Sequence, residues 1–347
     1  MSLSLTERAA ALGGGLTGDR RRLVGVIMGL SYGAGWAACT VWLRRLLDTY
    51  PLHPTGIMFW RGLIVSGALM AILLVRGQRA QRENRRRRHG GGRPPGQARV
   101  LPLEEDGRTQ GGRTQGSPLR VARRHVPLLV LFGFVGIALN NASWGLSVNL
   151  NGVTVATVMA YSAPIFTVLL SRPLYGEHIT RRKATSLLLA LTGCLLVSQV
   201  YNIGRTQLQT MGMAMALAVG LTQAGRDLLG KKVGGLYPEL KGLFYGFLFG
   251  TVFLGVGQLS WELVPRLPPL GWLELGGMSL GIMASYLLYL GALARLPVSV
   301  ASILGLSEAV VAAVLAYLVH GETLSGPQIL GALLVISGVV VLEVRDA

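Results

Sequence analysis

Charge is the first thing this chain is short of. Only 14% of its 347 residues are Asp, Glu, Lys or Arg, where a soluble domain carries about 25%. Mean hydropathy is +0.49, which excludes an ordinary water-soluble protein unless long apolar blocks are covered by something else. Cysteine is nearly absent. Cys39 and Cys194 are the two present, and their spacing supports neither a disulfide framework nor a zinc site. Histidine is sparse too: His53, His89, His125, His178 and His320 form no cluster. The chain has no phosphate-binding Gly-Lys loop, no HExxH and no Ser–His–Asp arrangement, so no cofactor or metal is expected. ATP-driven work by this chain alone is unsupported. An intramembrane lipid-modifying enzyme would need acids or histidines gathered at one interface, and none gather.

What is there is apolar length. A membrane helix needs about 20 mostly apolar residues, and ten stretches qualify: about 23–43, 54–75, 126–148, 152–171, 184–202, 210–229, 241–260, 270–293, 297–319 and 326–344. The fold class expected is an all-α integral membrane protein of ten spans. The first block is too long for the core of a secretory leader and lacks a small-residue cleavage site, so it reads as a span.

The 33 basic residues outnumber the 16 acids, and they are unevenly placed. With the N-terminus cytoplasmic, 28 of the 33 fall on the cytoplasmic side and four (Arg44, Arg45, Arg205, Arg266) outside. The positive-inside bias therefore predicts cytoplasmic N- and C-termini in the cell membrane. That count places Arg226 in the cytoplasmic set. Residues 1–22 read as an N-terminal tail. Residues 76–125, with "RENRRRRHGGGRPPG" inside them, read as a basic disordered cytoplasmic loop. The loop is a solvated linker or a contact for anionic lipid; no aromatics interleave its arginines, which argues against nucleic acid.

The chain also repeats itself. "YSAPIFTVLLSRPLYGE" (161–177) and "LSEAVVAAVLAYLVHGE" (306–322) align at a shift of 145, as do Gly193 and Gly338. The first span of each half aligns at a shift of 187, where Gly33 meets Gly220. Two repeats, 23–202 and 210–344, each of five spans, must cross the membrane in opposite senses because five is odd. Inverted repeats of this kind are characteristic of secondary transporters, with the substrate site between the halves.

These strings, with "PTGIMFWRG" in the second span, resemble the EamA-type transporters of the drug/metabolite transporter superfamily. The resemblance covers nearly the whole chain outside 76–125 and the tails. It implies a ten-helix carrier of a small organic metabolite, an amino acid or similar, working as an exporter or exchanger; some relatives move lipid-linked groups, so a flippase is the alternative. In that family a proline commonly follows the ninth-span glutamate. Ala309 stands there instead, leaving no proline to bend the chain.

Within this frame a few single residues carry candidate chemistry. Glu308 lies at bilayer depth, where a charge is costly and faces a cavity or partner; a proton or substrate-amine site is the functional reading, a structural ion pair the plain one. Arg61 shares its depth and is the expected partner, with snorkelling to the interface as the alternative. Asn140, Asn141 and Trp144 in "ALNNASWGLSV" either line a pathway or bond between helices. Trp36, Tyr161, Gln223, Tyr286 and Tyr289 are weaker pathway candidates. Glu177 and Glu322 each precede a helix and read as structural helix-start acids, and Ser325 with Gln328 fits a capping box. Gly242-xxx-Gly246-xxx-Gly250 and Gly277-xxx-Gly281 suit close helix packing inside the chain, or a homodimer face.

Overall fold

The structure is a computed structural model. It describes residues 5–50, 54–89, 119–202, 209–257, 267–320 and 323–343. Among these every regular element is helical: α1 (Leu5–Thr49), α2 (Pro54–His89), α3 (Val126–Gly133), α4 (Asn140–Ala160), α5 (Ala163–Tyr175), α6 (Arg181–Val197), α7 (Thr210–Leu236), α8 (Glu239–Gly257), α9 (Pro269–Arg295), α10 (Val298–Gly305), α11 (Glu308–His320) and α12 (Gly326–Glu343). A wide π-helical turn, Phe134–Leu139, joins α3 to α4.

Eight of the spans are long and apolar enough to cross a bilayer by composition alone. α6, at 17 residues, and α7, whose apolar run is interrupted by Gln223, Arg226 and Asp227, complete the ten. Large apolar side chains such as Leu188, Leu273, Leu318 and Leu330 point outward and are more than half exposed; on a membrane protein they meet lipid.

Two helices run further than the sequence suggested. α1 starts at Leu5, inside the expected tail. α2 continues past Val75 to His89, through the expected loop, because "RGQRAQRENRRRRH" is made of good helix formers. Residues 90–118, the rest of that loop before Leu119, lie outside the described residues, as does Glu322.

The third span ends at Gly152, whose φ of 83° and ψ of 165° break α4. That positive φ is open to glycine and costly for other residues. The fourth span is broken again between α4 and α5 at Tyr161–Ser162, and the ninth between α10 and α11 at Leu306–Ser307. The two breaks are related by the shift of 145. Proline is not their common cause: Pro164 follows the first, Ala309 the second.

Packing obeys the repeat. α1 lies on α9, and its counterpart α7 lies on α4; α1 also meets α10 and α11 as α7 meets α5; α2 lies on α8, and α6 on α12. Exchanging the halves maps this set of contacts onto itself. The close approaches are exchanged too. A Cβ on Gly33 would strike Ser307, and one on Gly220 would strike Ser162. At the α6–α12 crossing, Gly193 sits 2.5 Å (as a would-be Cβ) from the carbonyl of Gly331, and Gly338 sits 2.8 Å from that of Ser186. Ten spans among the described residues thus form two halves of five, related by a two-fold exchange.

Candidate functional site

Between the halves lies a cavity of about 50 Å³, room for a few waters at about 10–15 Å³ each. α1 lines it with Trp36, Cys39, Thr40 and Leu43, α2 with Met58 and Arg61, and α4 with Asn140, Asn141, Trp144, Thr157 and Ala160. Tyr161, Gln223, Ile282 and Glu308 complete the wall. A smaller space of about 20 Å³ shares Ala160, Tyr161, Gln223 and Glu308 and continues past Tyr32, Asp227, Tyr289 and Ser302. Eight of the ten residues singled out from the sequence line the first cavity, and Tyr289 lines the second. Tyr286 lies behind both, buried against Trp36 at 5.2 Å between ring centroids.

The π-helical turn sets the pair of asparagines. Gly133 and Gly250 allow α8 to press onto it, and the chain leaves it at Asn140. Asn140 donates to the carbonyl of Val219 at 3.2 Å and to the Thr222 hydroxyl at 3.0 Å, so its amide ties α4 to α7. Asn141 accepts a 2.5 Å hydrogen bond from Nη2 of Arg61.

Arg61 is 3% exposed, so it does not snorkel. It also makes no ion pair with Glu308, the partner the sequence suggested. Both face one cavity, but the acceptor for Arg61 is a neutral amide, and its Nε–H has no partner. Glu308 is the first residue of α11, where the helix dipole favours a negative charge. Its carboxylate has no hydrogen-bond or ion-pair partner among the described residues.

The other buried arginine among the described residues is Arg226, which the sequence reading placed among the cytoplasmic charges. It is 2% exposed and Asp227 is 1% exposed. The two are paired at 3.3 Å. The Arg226 guanidinium donates to the hydroxyls of Tyr286 at 3.2 Å and Tyr32 at 3.5 Å, and lies 5.2–5.9 Å from the rings of Tyr286, Tyr289 and Trp36, a cation–π cage. Asp227 accepts from Ser302 at 3.2 Å and Thr167 at 3.5 Å. Counting basic residues for topology hid this pair. The signal was present as adjacent opposite charges inside an apolar stretch, "GRDLLG".

Glu177 also has a different partner from the one expected. Thr180, not Glu177, caps α6, accepting from the Lys183 N–H at 3.2 Å. Glu177 reaches into the other half: it accepts from the N–H groups of Val298 at 2.6 Å and Ser299 at 3.3 Å and from the Ser299 hydroxyl, and pairs with Lys183 at 3.5 Å. Close by, Lys231 donates to the carbonyls of Leu293 and Leu296. The Glu177 bonds tie the first half to the start of α10 in the second. The Ser325–Gln328 capping box is made, with the Gln328 side chain accepting from the Ser325 N–H at 2.9 Å. Cys39 and Cys194 are free and buried, and no group of His, Cys, Asp and Glu among the described residues is placed to hold a metal.

A family model described as the EamA-like transporter family matches residues 111–199 and again 210–344. An uncharacterized transporter of Bacillus subtilis, YwfM, is 30% identical over 221 residues, covering 62% of this chain and 73% of its own length. An uncharacterized transporter of Helicobacter pylori is 30% identical over 153 residues; there the match spans 49% of the relative's length. One from Archaeoglobus fulgidus is 26% identical over 222 residues, covering 61% of this chain and 74% of the relative. A solved crystal structure superimposes with a TM-score of 0.69 over 93% of this chain and 98% of its own, at 16% identity; it shares the fold.

Proposed function

The chain belongs to the EamA-like transporter family, and from that premise we propose that it is a secondary transporter of a small organic metabolite, working by alternating access as an exporter or exchanger in the cytoplasmic membrane with both termini inside. The observation that carries this reading is the chamber itself. It is small, charged and aromatic-lined, and both halves contribute to its wall, the first half most of it and the second half Gln223, Ile282 and Glu308. A site lined by both halves can open to either side by rocking one half against the other. In this reading Glu177, which ties the first half to α10, holds one end shut. Glu308 is the group proposed to exchange a proton or bind a cationic part of the cargo.

Counterflow in proteoliposomes tests the reading. A labelled ligand found by thermal-shift screening should accumulate transiently against unlabelled ligand inside. Glu308→Gln should abolish any substrate-driven pH change. Unchanged pH responses and exchange rates in that variant would remove the proton role.

A flippase for a lipid-linked compound is the second reading. It is favoured by a lateral crevice of about 230 Å³ between α1 and α11, lined by Ala38, Val41, Trp42, Leu315 and Val319 with Arg45 at its edge. The crevice shares no residue with the central cavity, so lipid entry requires α1 and α11 to part. A disulfide placed between those helices would stop a flippase and spare a carrier of soluble cargo.

A further inference from the structure

The two helix breaks meet. The fourth span parts at Tyr161–Ser162 and the ninth at Leu306–Ser307. Ala160 and Tyr161 from one break, with Gly305 and Leu306 from the other, line the inner space of about 20 Å³. That is room for one water-sized body at about 10–15 Å³ each, and too little for an organic cargo. A half-helix that stops inside a protein leaves its last carbonyl groups without helical partners, and they carry partial negative charge. Two such ends, of α4 and of α10, reach this one space. Pro164, at the start of α5, also lines it and brings no N–H to offset them.

Two carboxylates share the wall, Asp227 and Glu308, and neither Arg61 nor Arg226 does. Asp227 divides its oxygens. Oδ1 takes Arg226 at 3.3 Å, while Oδ2 is turned to the hydroxyls of Ser302 at 3.2 Å and Thr167 at 3.5 Å. Both of these are longer than the usual O–H···O bond of about 2.5–3.0 Å. Arg226 balances Asp227. Arg61 shares the larger cavity with Glu308 but is held by Asn141, so no ion pair answers Glu308. Tyr161, also in the wall, is 9% exposed, and its hydroxyl has no hydrogen-bond partner among the described residues. The result is a small space walled by oxygen, with one negative charge in excess.

We propose that this space binds one small monovalent cation, sodium, through Asp227 Oδ2, the Ser302 and Tyr161 hydroxyls, Glu308 and the carbonyl ends of α4 and α10. Oxygen donors suit a hard cation. Calcium takes about 6–8 oxygens and magnesium keeps several of its waters, so a space the size of one water suits neither. A single positive charge cancels the single excess. The ion joins the two spans where both bend, as the ends of broken helices hold coupling ions in other transporters. Ser302 and Asp227 belong to this space and not to the larger cavity, and binding of the ion does not rest on the transporter reading.

Thermal unfolding of the purified full chain, titrated with sodium chloride against choline chloride at constant ionic strength, reads the site. Sodium should raise the melting temperature by mass action, and potassium should need at least about tenfold more salt for the same shift. Ser302→Ala should melt nearly as the wild type does in choline, yet need at least about tenfold more sodium for its shift. Tyr161→Phe should need about threefold more, for a hydroxyl worth less than a carboxylate-bound one. Glu308→Gln removes a charge that no ion pair answers, so it should stay folded and lose the sodium response altogether. The proposal is overturned if sodium and choline give one curve, if potassium matches sodium, or if Ser302→Ala answers sodium as the wild type does. Counterflow separates this from the carrier reading. A ligand exchanged by a protein with no sodium response sinks only the cation site; a sodium response without any exchange sinks only the carrier.

Discussion

The two halves agree in shape and disagree in chemistry. Gly33 and Gly220, Ser162 and Ser307, and Gly193 and Gly338 occupy equivalent places and make equivalent close contacts. At the chamber the correspondence of position persists, and the side chains part. The shift of 187 puts Cys39–Thr40 opposite Arg226–Asp227, and Trp36 opposite Gln223. The shift of 145 puts Asn141 opposite Tyr286, Trp144 opposite Tyr289, and Ala163 opposite Glu308. In the alternating-access carrier proposed above, close-packed, small-residue positions are constrained by a motion both halves share, since each adopts the other's arrangement in turn. A ligand has no two-fold symmetry of its own, so the residues that touch it are free to diverge. Asn141 and Tyr286 illustrate the division: each binds an arginine, Arg61 in one case and Arg226 in the other, yet one arginine has a carboxylate beside it and the other does not.

Breaking the Arg226–Asp227 pair should have the largest effect. Arg226→Gln or Asp227→Asn alone leaves one buried charge without its partner, at a cost of about 3–5 kcal/mol, read as a steep fall in thermal stability and in folded yield. The double variant Arg226→Cys with Asp227→Thr gives the second half what the first already carries. It should recover most of the stability and still fail in counterflow. If the double variant is as unstable as either single one, the pair is not a closed electrostatic unit, and the contrast drawn between scaffold and chamber is wrong at its strongest point.

Much of this was legible in the sequence for a physical reason. Apolar length reports lipid, and an odd number of spans per repeat forces inversion, so ten spans and two exchanged halves follow without coordinates. The breaks in the fourth and ninth spans were harder. A missing proline at Ala309 suggested a straight helix, yet the chain bends at Leu306–Ser307 because α1 packs its Gly33 against that turn, a contact between segments far apart in sequence. Arg226 was misplaced for a similar reason. Counting charges for topology treats each arginine as solvated, and only packing brings Tyr32, Tyr286, Tyr289 and Asp227 around it. Glu177 showed the reverse error: a local pattern, acid before helix, pointed to α6, while the carboxylate reaches a helix start in the other repeat.

Packing at the α6–α12 crossing should come next in size. Gly193→Ala or Gly338→Ala drives a methyl group into the facing backbone carbonyl, of Gly331 or of Ser186, at 2.5 and 2.8 Å, where no side chain can give way. A cost of about 1–3 kcal/mol is expected for each. The repeat predicts that the two variants lose similar amounts. Gly67 and Gly276 have nothing within 4 Å of a would-be Cβ, so alanine there should be neutral or stabilising by up to about 1 kcal/mol, since both lie inside helices. Unequal losses at Gly193 and Gly338, measured by thermal unfolding in one detergent, would mean that the exchange relating the halves is looser than the close contacts imply.

The smallest effect, and the most informative about motion, should come from Glu177. Its carboxylate joins the halves at the closed end by accepting from the first N–H groups of α10 and from Ser299. Glu177→Gln keeps the size and one acceptor oxygen but removes the charge that strengthens those bonds, a loss of about 1 kcal/mol. Spread over a two-state equilibrium, that is about a fivefold shift toward the state open at this end. Ser302 lies just beyond the latch on α10, at the edge of the inner space. In a Cys39→Ser, Cys194→Ala background, a Ser302→Cys reporter should therefore react with a water-soluble thiol reagent about fivefold faster when Glu177→Gln is added, with thermal stability little changed. A reporter that reacts no faster, while the protein loses stability, would make Glu177 a strut common to both states rather than a latch on one of them.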